Sequence, residues 1–282
     1  MTKAHNPWDI PEWHFVKREA ALIRHLIGSG ITALGRANYA DRTGEYYTAF
    51  FALSIGLERL CKLILVADAA LAKGGQMPNA SFVRAYGHKL KGLIEAADSV
   101  SQKRNLKLRY PRCTHGISLK IIECLDDFAD AGRGRYANFA ALGDPNLGSE
   151  EPVRKWWKEV AEAILNAHYY GTKEQERVES NARLVDAIMG PFTLVSHTSE
   201  VGAHLDQVLS ASVLTGQTST VQRYGRFYAL QMVRWLSEIF SEVCQLASYG
   251  HSVDAFYGAW EYVSTYLVED HFLRTRKNWP LG

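Results

Sequence analysis

Cysteine is scarce: Cys61, Cys113, Cys124 and Cys244 are the four in 282 residues. Cys61 and Cys244 fall inside apolar helical patterns and read as small core residues. A disulfide framework is excluded on that count, and a reduced, cytoplasmic setting is expected. Charge of one sign is lacking too. The formal net charge of +2 is too small for a global nucleic-acid surface, so any such surface has to be local. No long apolar run is free of charge. Phe50–Val66 carries Glu58, Arg59 and Lys62 at its middle, which would be costly in a bilayer, so no membrane span and no membrane partner are expected. The opening MTKAHNPWDIPEWHF has no apolar core of the signal-peptide kind. A Walker loop, a dinucleotide fingerprint, a nucleophile elbow and a paired metal motif are all absent, so no cofactor is expected. Cys113, His115 and Cys124 follow C-x-H-x8-C, which is not a standard zinc spacing and lacks an evident fourth ligand, so no metal is expected either.

What is present is helical periodicity. In Tyr47–Asp68, YTAFFALSIGLERLCKLILVAD, the residues Phe50, Leu53, Leu57, Leu60, Ile64 and Ala67 are spaced alternately three and four apart. That is the seam of a helix packing against other helices along its length. Phe51, Ile55, Leu63, Leu65 and Val66 widen the apolar surface, which makes this helix central. Glu58 and Lys62 form an i, i+4 pair on its polar strip. The pattern predicts a first helix from about Pro11 to Ile27, stopped by Gly28-Ser29-Gly30, and the central helix from about Arg42 to Lys73. A third is predicted near Lys89–Val100 and a fourth from after His115 to about Ala131.

Gly143–Ser149 is turn-rich and reads as a linker, so the boundary is placed near 148, with regions 1–148 and 149–282. The second region is expected either to stand alone or to pack on the first. Ser149, Glu150, Glu151 and Pro152 suit a helix N-terminus: a capping hydroxyl, two acids on the positive dipole end and Pro in the first turn. Val153, Trp156, Val160, Ala163 and Ala167 repeat at helical spacing, with Trp156 and Trp157 read as core plus edge. Thr172 and Gln175 suggest a capping box. Phe192–Val195 can be a short extended piece. Further helices are predicted at about Glu200–Leu214, Thr220–Ser248 and Val253–His271. With no internal repeat, low-complexity tract or βαβ alternation, the fold class is all-α.

The block Phe50–Leu63, FFALSIGLERLCKL, the segment Gly87-His88-Lys89-Leu90-Lys91-Gly92-Leu93 and the amphipathic fourth helix resemble the HEPN superfamily over roughly residues 40–140. The resemblance implies a HEPN-like helical bundle with additional C-terminal helices. It also implies an RNA or nucleotide partner and pairing as a homodimer. Many members of that family are similar to metal-free RNases of toxin–antitoxin and anti-phage systems, and others to non-catalytic binding domains. The family's nuclease signature is an Arg, four to six residues, then a His. The His moves a proton at the 2′-hydroxyl or leaving oxygen, and the Arg steadies the phosphorane charge.

Here that spacing occurs twice, at Arg18–His25 and Arg109–His115, about as often as the Arg and His content predicts by chance. Arg18 and His25 read as surface decoration. Arg109 and His115, in RYPRCTH, are the catalytic candidates because they precede the fourth helix. Their surroundings are also basic: Lys103, Arg104, Lys107, Arg109, Arg112 and Lys120 fall in an acid-free stretch from Ser101 to Ile122. Pro111 disfavours a single helix carrying both members of the pair, where the family has one helical stretch. The competing readings are phosphate contact without catalysis and a solvated basic loop. Arg133, Arg135 and Tyr136, in GRGRYANF, can clamp a phosphate and stack a base, or form an ordinary helix-end loop. His88 and Asn138 are candidates for a ligand site, and His88 can equally hydrogen-bond within the bundle. Tyr224, Arg226, Phe227, Tyr228, Arg234 and Trp235 form either a core stripe edged by snorkelling arginines or a face for a partner protein through the C-terminal helices. The leading expectation is an RNA-binding protein or metal-free endoribonuclease. The alternative is a non-catalytic helical module for a nucleotide or partner protein, and a small-molecule site near His88 and Glu58 has no motif behind it.

Overall fold

The computed structural model describes residues 6–129 and 151–281. The 143–149 linker, the boundary at 148 and the candidates Arg133, Arg135, Tyr136 and Asn138 lie outside the described residues. Within them the fold is all-α. The helices are α1 (Pro11–Leu34), α2 (Gly44–Ala72), α3 (Ala80–Ala85), α4 (Leu90–Lys103), α5 (Gly116–Ala129), α6 (Pro152–Trp156), α7 (Glu162–His168), α8 (Lys173–Met189), α9 (Val208–Gln245) and α10 (Asp270–Thr275). A small antiparallel hairpin pairs β1 (His197–Thr198) with β2 (His204–Leu205), His197 opposite Leu205. No helix among the described residues is long and apolar enough to cross a membrane.

The chain divides into two compact units, neither of them a continuous stretch of sequence. The first comprises Met1–Gly30, Ala52–Thr114 and Leu230–Gly282. Its core joins Ile23 and Ile27 of α1, Leu57, Leu60 and Ile64 of α2, Leu93 and Ala97 of α4, and Leu236, Phe240 and Val243 of α9, all buried. The alternating seam of α2 is buried as the sequence predicts, whereas Ile55, expected on the widened apolar surface, is 40% exposed.

The second unit comprises Ile31–Phe51 and His115–Ala229. Its centre is aromatic. The Phe50 ring lies 5.5 Å from both Phe128 and Trp156, and Phe51 lies 4.7 Å from Phe128 edge to face. Such pairs contribute about 1 kcal/mol beyond the area they bury. A buried polar chain crosses this centre: Trp157 Nε1 donates to Tyr46 Oη at 2.8 Å, and Tyr46 donates to Glu200 Oε1 at 3.0 Å. Burial pushes the Glu200 carboxyl above the usual carboxylate range and the Tyr46 phenol above its own.

Several helix limits differ from the sequence expectation. Helix α1 does not stop at Gly28-Ser29-Gly30 but continues to Leu34. An interior glycine costs about 1 kcal/mol, whereas burying an Ile or Leu contributes about 2 kcal/mol. Ile27, Ile31 and Leu34 are all buried, so packing wins. Gly28 is a packing position: a Cβ there would stand 2.9 Å from the Pro280 carbonyl oxygen.

The two helices predicted at Glu200–Leu214 and Thr220–Ser248 are one, α9, of 38 residues, and Glu200 precedes it. The helix predicted over Val253–His271 is replaced by 3₁₀ turns at Asp254–Phe256, Ala259–Tyr262 and Ser264–Tyr266. Gly258, at φ 72°, takes a left-handed conformation that a helix cannot carry. Between α6 and α7 a π turn spans Trp157–Ala161. Its extra residue rotates the buried face, so Trp156 and Trp157 are both interior rather than core plus edge. The Glu151 carboxylate itself caps α6 by accepting the Arg154 N–H at 2.8 Å. At α8 the expected capping box is not formed: Thr172 donates back to the Tyr169 carbonyl, and Gln175 accepts from Gly171 N. The 192–195 segment is irregular apart from Phe192, which ends a 3₁₀ turn.

Candidate functional site

The basic stretch begins at the end of α4 and continues as irregular chain to His115. Four of its cations end on carboxylates of the first unit. Lys103 Nζ lies 3.0 Å from Asp68, and Arg104 Nε lies 2.6 Å from the same carboxylate. Arg112 forks between Asp98 and Glu95, each at 2.6 Å, with its guanidinium 5.7 Å from the Trp235 ring centre. The Arg112 hydrogen bond holds the Glu95 carboxyl below its ordinary range. Arg109 pairs with Glu269 at the surface. Its backbone N–H and that of Tyr110 donate to the two oxygens of buried Glu238, at 2.7 and 2.8 Å. Four cations of the stretch therefore already carry a counter-charge.

His115 opens α5. Its carbonyl accepts the Leu119 N–H at 3.1 Å, and its Nδ1 accepts the Ile117 N–H at 3.2 Å. The imidazole thus does the work of an N-cap side chain. With Nδ1 accepting, the ring proton sits on Nε2.

The same ring belongs to a cluster built entirely from the second unit. His115 stacks on Tyr228, ring centres 4.4 Å apart at 24°. The Tyr228 hydroxyl is 2.7 Å from His168 Nε2. His168 in turn stacks parallel on Tyr224 at 3.7 Å. Tyr224 and Tyr228 are four apart on α9 and so share a face. Ser118 Oγ donates to the Tyr228 carbonyl at 3.0 Å, which ties the first turn of α5 to α9. Arg223 lies beside the cluster, its guanidinium 5.7 Å from the Tyr224 ring centre. Burial is graded: Tyr228 is buried, Tyr224 and His168 are half-buried, and His115 and Arg223 are exposed. The buried phenol holds the geometry while the outer rings and a cation meet solvent. Rings of this kind stack bases, and two imidazoles give and take protons.

His88, in the first unit, places Nδ1 2.9 Å from Glu58, which also accepts from Lys62 at 2.7 Å. Glu58 and Lys62 line a cleft of about 410 Å³ with Glu19, Arg59, Ile55 and Val83. Arg59 and Glu19 in that cleft are themselves paired at 2.5 Å. No group of three or more metal-ligating side chains is found among the described residues. Burial pushes the Cys124 thiol up to about 12 and raises Cys61 and Cys244 as well, so these thiols are poor nucleophiles.

No family model, curated protein or solved structure matches the chain. Of the ring cluster, sequence reasoning singled out His115 and placed Tyr224 and Tyr228 on one helix. It missed His168. The Tyr-x3-Tyr spacing was the available signal, but nothing local in the sequence connects α7 with α9.

Proposed function

We propose that this protein binds single-stranded RNA through the His115, His168, Tyr224 and Tyr228 cluster, in keeping with its resemblance to the HEPN superfamily. The observation that carries the reading is a pair of ring stacks, His115 on Tyr228 and His168 on Tyr224, joined by the Tyr228–His168 hydrogen bond, with exposed Arg223 beside them. Base–aromatic stacking contributes about 1–3 kcal/mol per base and tolerates any sequence, and an adjacent guanidinium suits a phosphate. The paired cations of residues 103–112 serve as a secondary, weaker attraction.

A second reading, metal-free cleavage, is favoured by two imidazoles contacting one phenol. One imidazole would take the proton of a 2′-hydroxyl, whose oxygen attacks the adjacent phosphorus. The other would give a proton to the departing 5′-oxygen, leaving a 2′,3′-cyclic phosphate and a 5′-hydroxyl. Arg223 takes the place beside the phosphate that the spacing motif assigns to Arg109. A role in toxin–antitoxin or anti-phage systems rests on the family resemblance alone.

The test is fluorescence anisotropy with a labelled mixed-sequence single-stranded RNA, with gel analysis of the same RNA in EDTA. Tyr224→Ala is expected to weaken binding by about tenfold, the size of one lost stacking contact. Absence of binding by the wild type, or equal binding by the variant, overturns the RNA reading. Cleavage abolished by His115→Ala and by His168→Ala establishes catalysis. Tight binding without cleavage leaves a binding module.

A further inference from the structure

In the first unit, α2 and α4 are joined by a strap whose middle is α3, and no residue of α3 is buried. The hydrogen bonds that shape α3 are its own. Asn79 Oδ1 accepts the Phe82 N–H at 3.0 Å and the Ser81 hydroxyl at 2.7 Å, and Arg84 Nε donates to the Ala80 carbonyl at 3.3 Å. Phe82 and Tyr86 pack on each other edge to face, ring centres 5.4 Å apart. Little in α3 therefore depends on the elements around it. Both ends of the strap turn on glycine: Gly74, Gly75 and Gly87 lie at φ 60°, 97° and 65°, the region that favours glycine. A Cβ at Gly74 or Gly87 would meet nothing within 4 Å, so these two glycines serve the backbone and not close packing. Residues at the ends of elements are the ones that absorb the dihedral change when a segment swings.

The strap lies on the cleft of about 410 Å³, whose wall takes Val83 from α3 and Ile55, Glu58, Lys62 and Val66 from α2. Among the described residues, one side-chain hydrogen bond ties 76–88 to another element: His88 Nδ1 to Glu58, at 2.9 Å, beside the second glycine turn. We propose that 76–86 is a lid over this cleft, hinged at Gly74–Gly75 and at Gly87, with the His88–Glu58 bond pinning the second hinge in the closed position. His88 is exposed, and an exposed pair of this kind biases a position weakly and is readily given up. Arg59 with Glu19 and Lys62 with Glu58 match the charge of the cleft beneath, so closure covers paired ions. The lid rests on no part of the RNA reading, whose ring cluster belongs to the second unit.

Hydrogen exchange of the full chain, read by mass spectrometry, tests the proposal. In the wild type, 80–86 is expected to exchange through a local opening that is indifferent to urea below the unfolding transition, whereas 94–100 of α4 follows unfolding of the unit. His88→Ala is expected to speed exchange over 80–86 by about threefold, the size of one exposed ion pair, and to leave 94–100 unchanged. Glu58→Ala is expected to speed it at least as much, and adding His88→Ala to that variant should change nothing further. Exchange over 80–86 that rises with urea as 94–100 does overturns the lid. Exchange over 80–86 that is unchanged in both single variants overturns the role of the pin. Equal speeding over 94–100 also overturns it, because His88 would then be holding α4 and not a hinge.

Discussion

In the first unit Lys103, Arg104, Arg109 and Arg112 each end on a carboxylate, whereas in the second unit His115, His168, Tyr224 and Tyr228 end on one another. In sequence the first group is a dense basic run and the second is scattered across three helices. Charge density along a chain is therefore a poor guide to free charge in the fold. Asp68, Glu95, Asp98 and Glu269 neutralise four of the six cations in a run that contains no acid of its own. The scattered rings, by contrast, are gathered with their outer members still open to solvent.

The largest effect is expected at Glu238. Its carboxylate satisfies two backbone N–H groups, at Arg109 and Tyr110. Glu238→Ala is expected to cost about 3 kcal/mol of stability, because buried donors lose their acceptor. Urea unfolding measures this, and a loss under about 1 kcal/mol would mean that water replaces the carboxylate. Next in size is the ring cluster. His115→Ala removes an N-cap acceptor and a stacking partner, and should cost about 1 kcal/mol. Tyr228→Phe deletes the hydroxyl bonded to His168 and should cost a similar amount, about 1 kcal/mol. Thermal unfolding of both variants, read beside RNA anisotropy, separates folding from binding: the cluster is only structural if stability falls and affinity does not. The smallest effect is expected at Arg109→Ala, whose exposed ion pair contributes under about 1 kcal/mol to stability. Its RNA affinity should change less than that of Tyr224→Ala, and the reverse order would return the basic stretch to first place.

Glu200 sharpens the contrast from another side. Unlike the exposed Glu95 carboxylate beside Arg112, it is buried, and burial raises its pKa. The folded state therefore holds the proton more tightly than the unfolded chain. The stability contributed by neutral Glu200 is fully present below the unfolded carboxylate pKa and is lost as pH rises through the raised folded value. Glu200→Gln should gain on the wild type in melting temperature as pH rises from about 4 to about 8. A difference that stays constant with pH would show that Glu200 ionises in the fold as it does in the unfolded chain.

Much of the helical content was legible. The seam of α2 and the face Leu90, Leu93, Ile94 and Ala97 of α4 are buried as their spacing predicts. Two of the errors fell at glycines where a local helix-breaking tendency of about 1 kcal/mol yields to burial of larger side chains. That is why α1 passes through Gly28 and α9 through Gly216. The candidate site was legible only in fragments. His115 was chosen for its place before the fourth helix in a basic stretch, yet the contacts that define it are a hydrogen bond from Ile117, two residues on, and a ring stack on Tyr228, more than a hundred residues away.

The all-α class, the seam of the central helix and the absence of a charge-free apolar span could be read from residue order alone. Each of these depends on apolar and charged residues repeating within a turn or two, and that period is local. Which cations are neutralised, that His168 joins His115 at one phenol, and that Leu184 and Ile188 stay exposed on α8 emerged with the fold. Those outcomes depend on which helices become neighbours and which faces they spend on each other, and no spacing along the chain encodes the face left over.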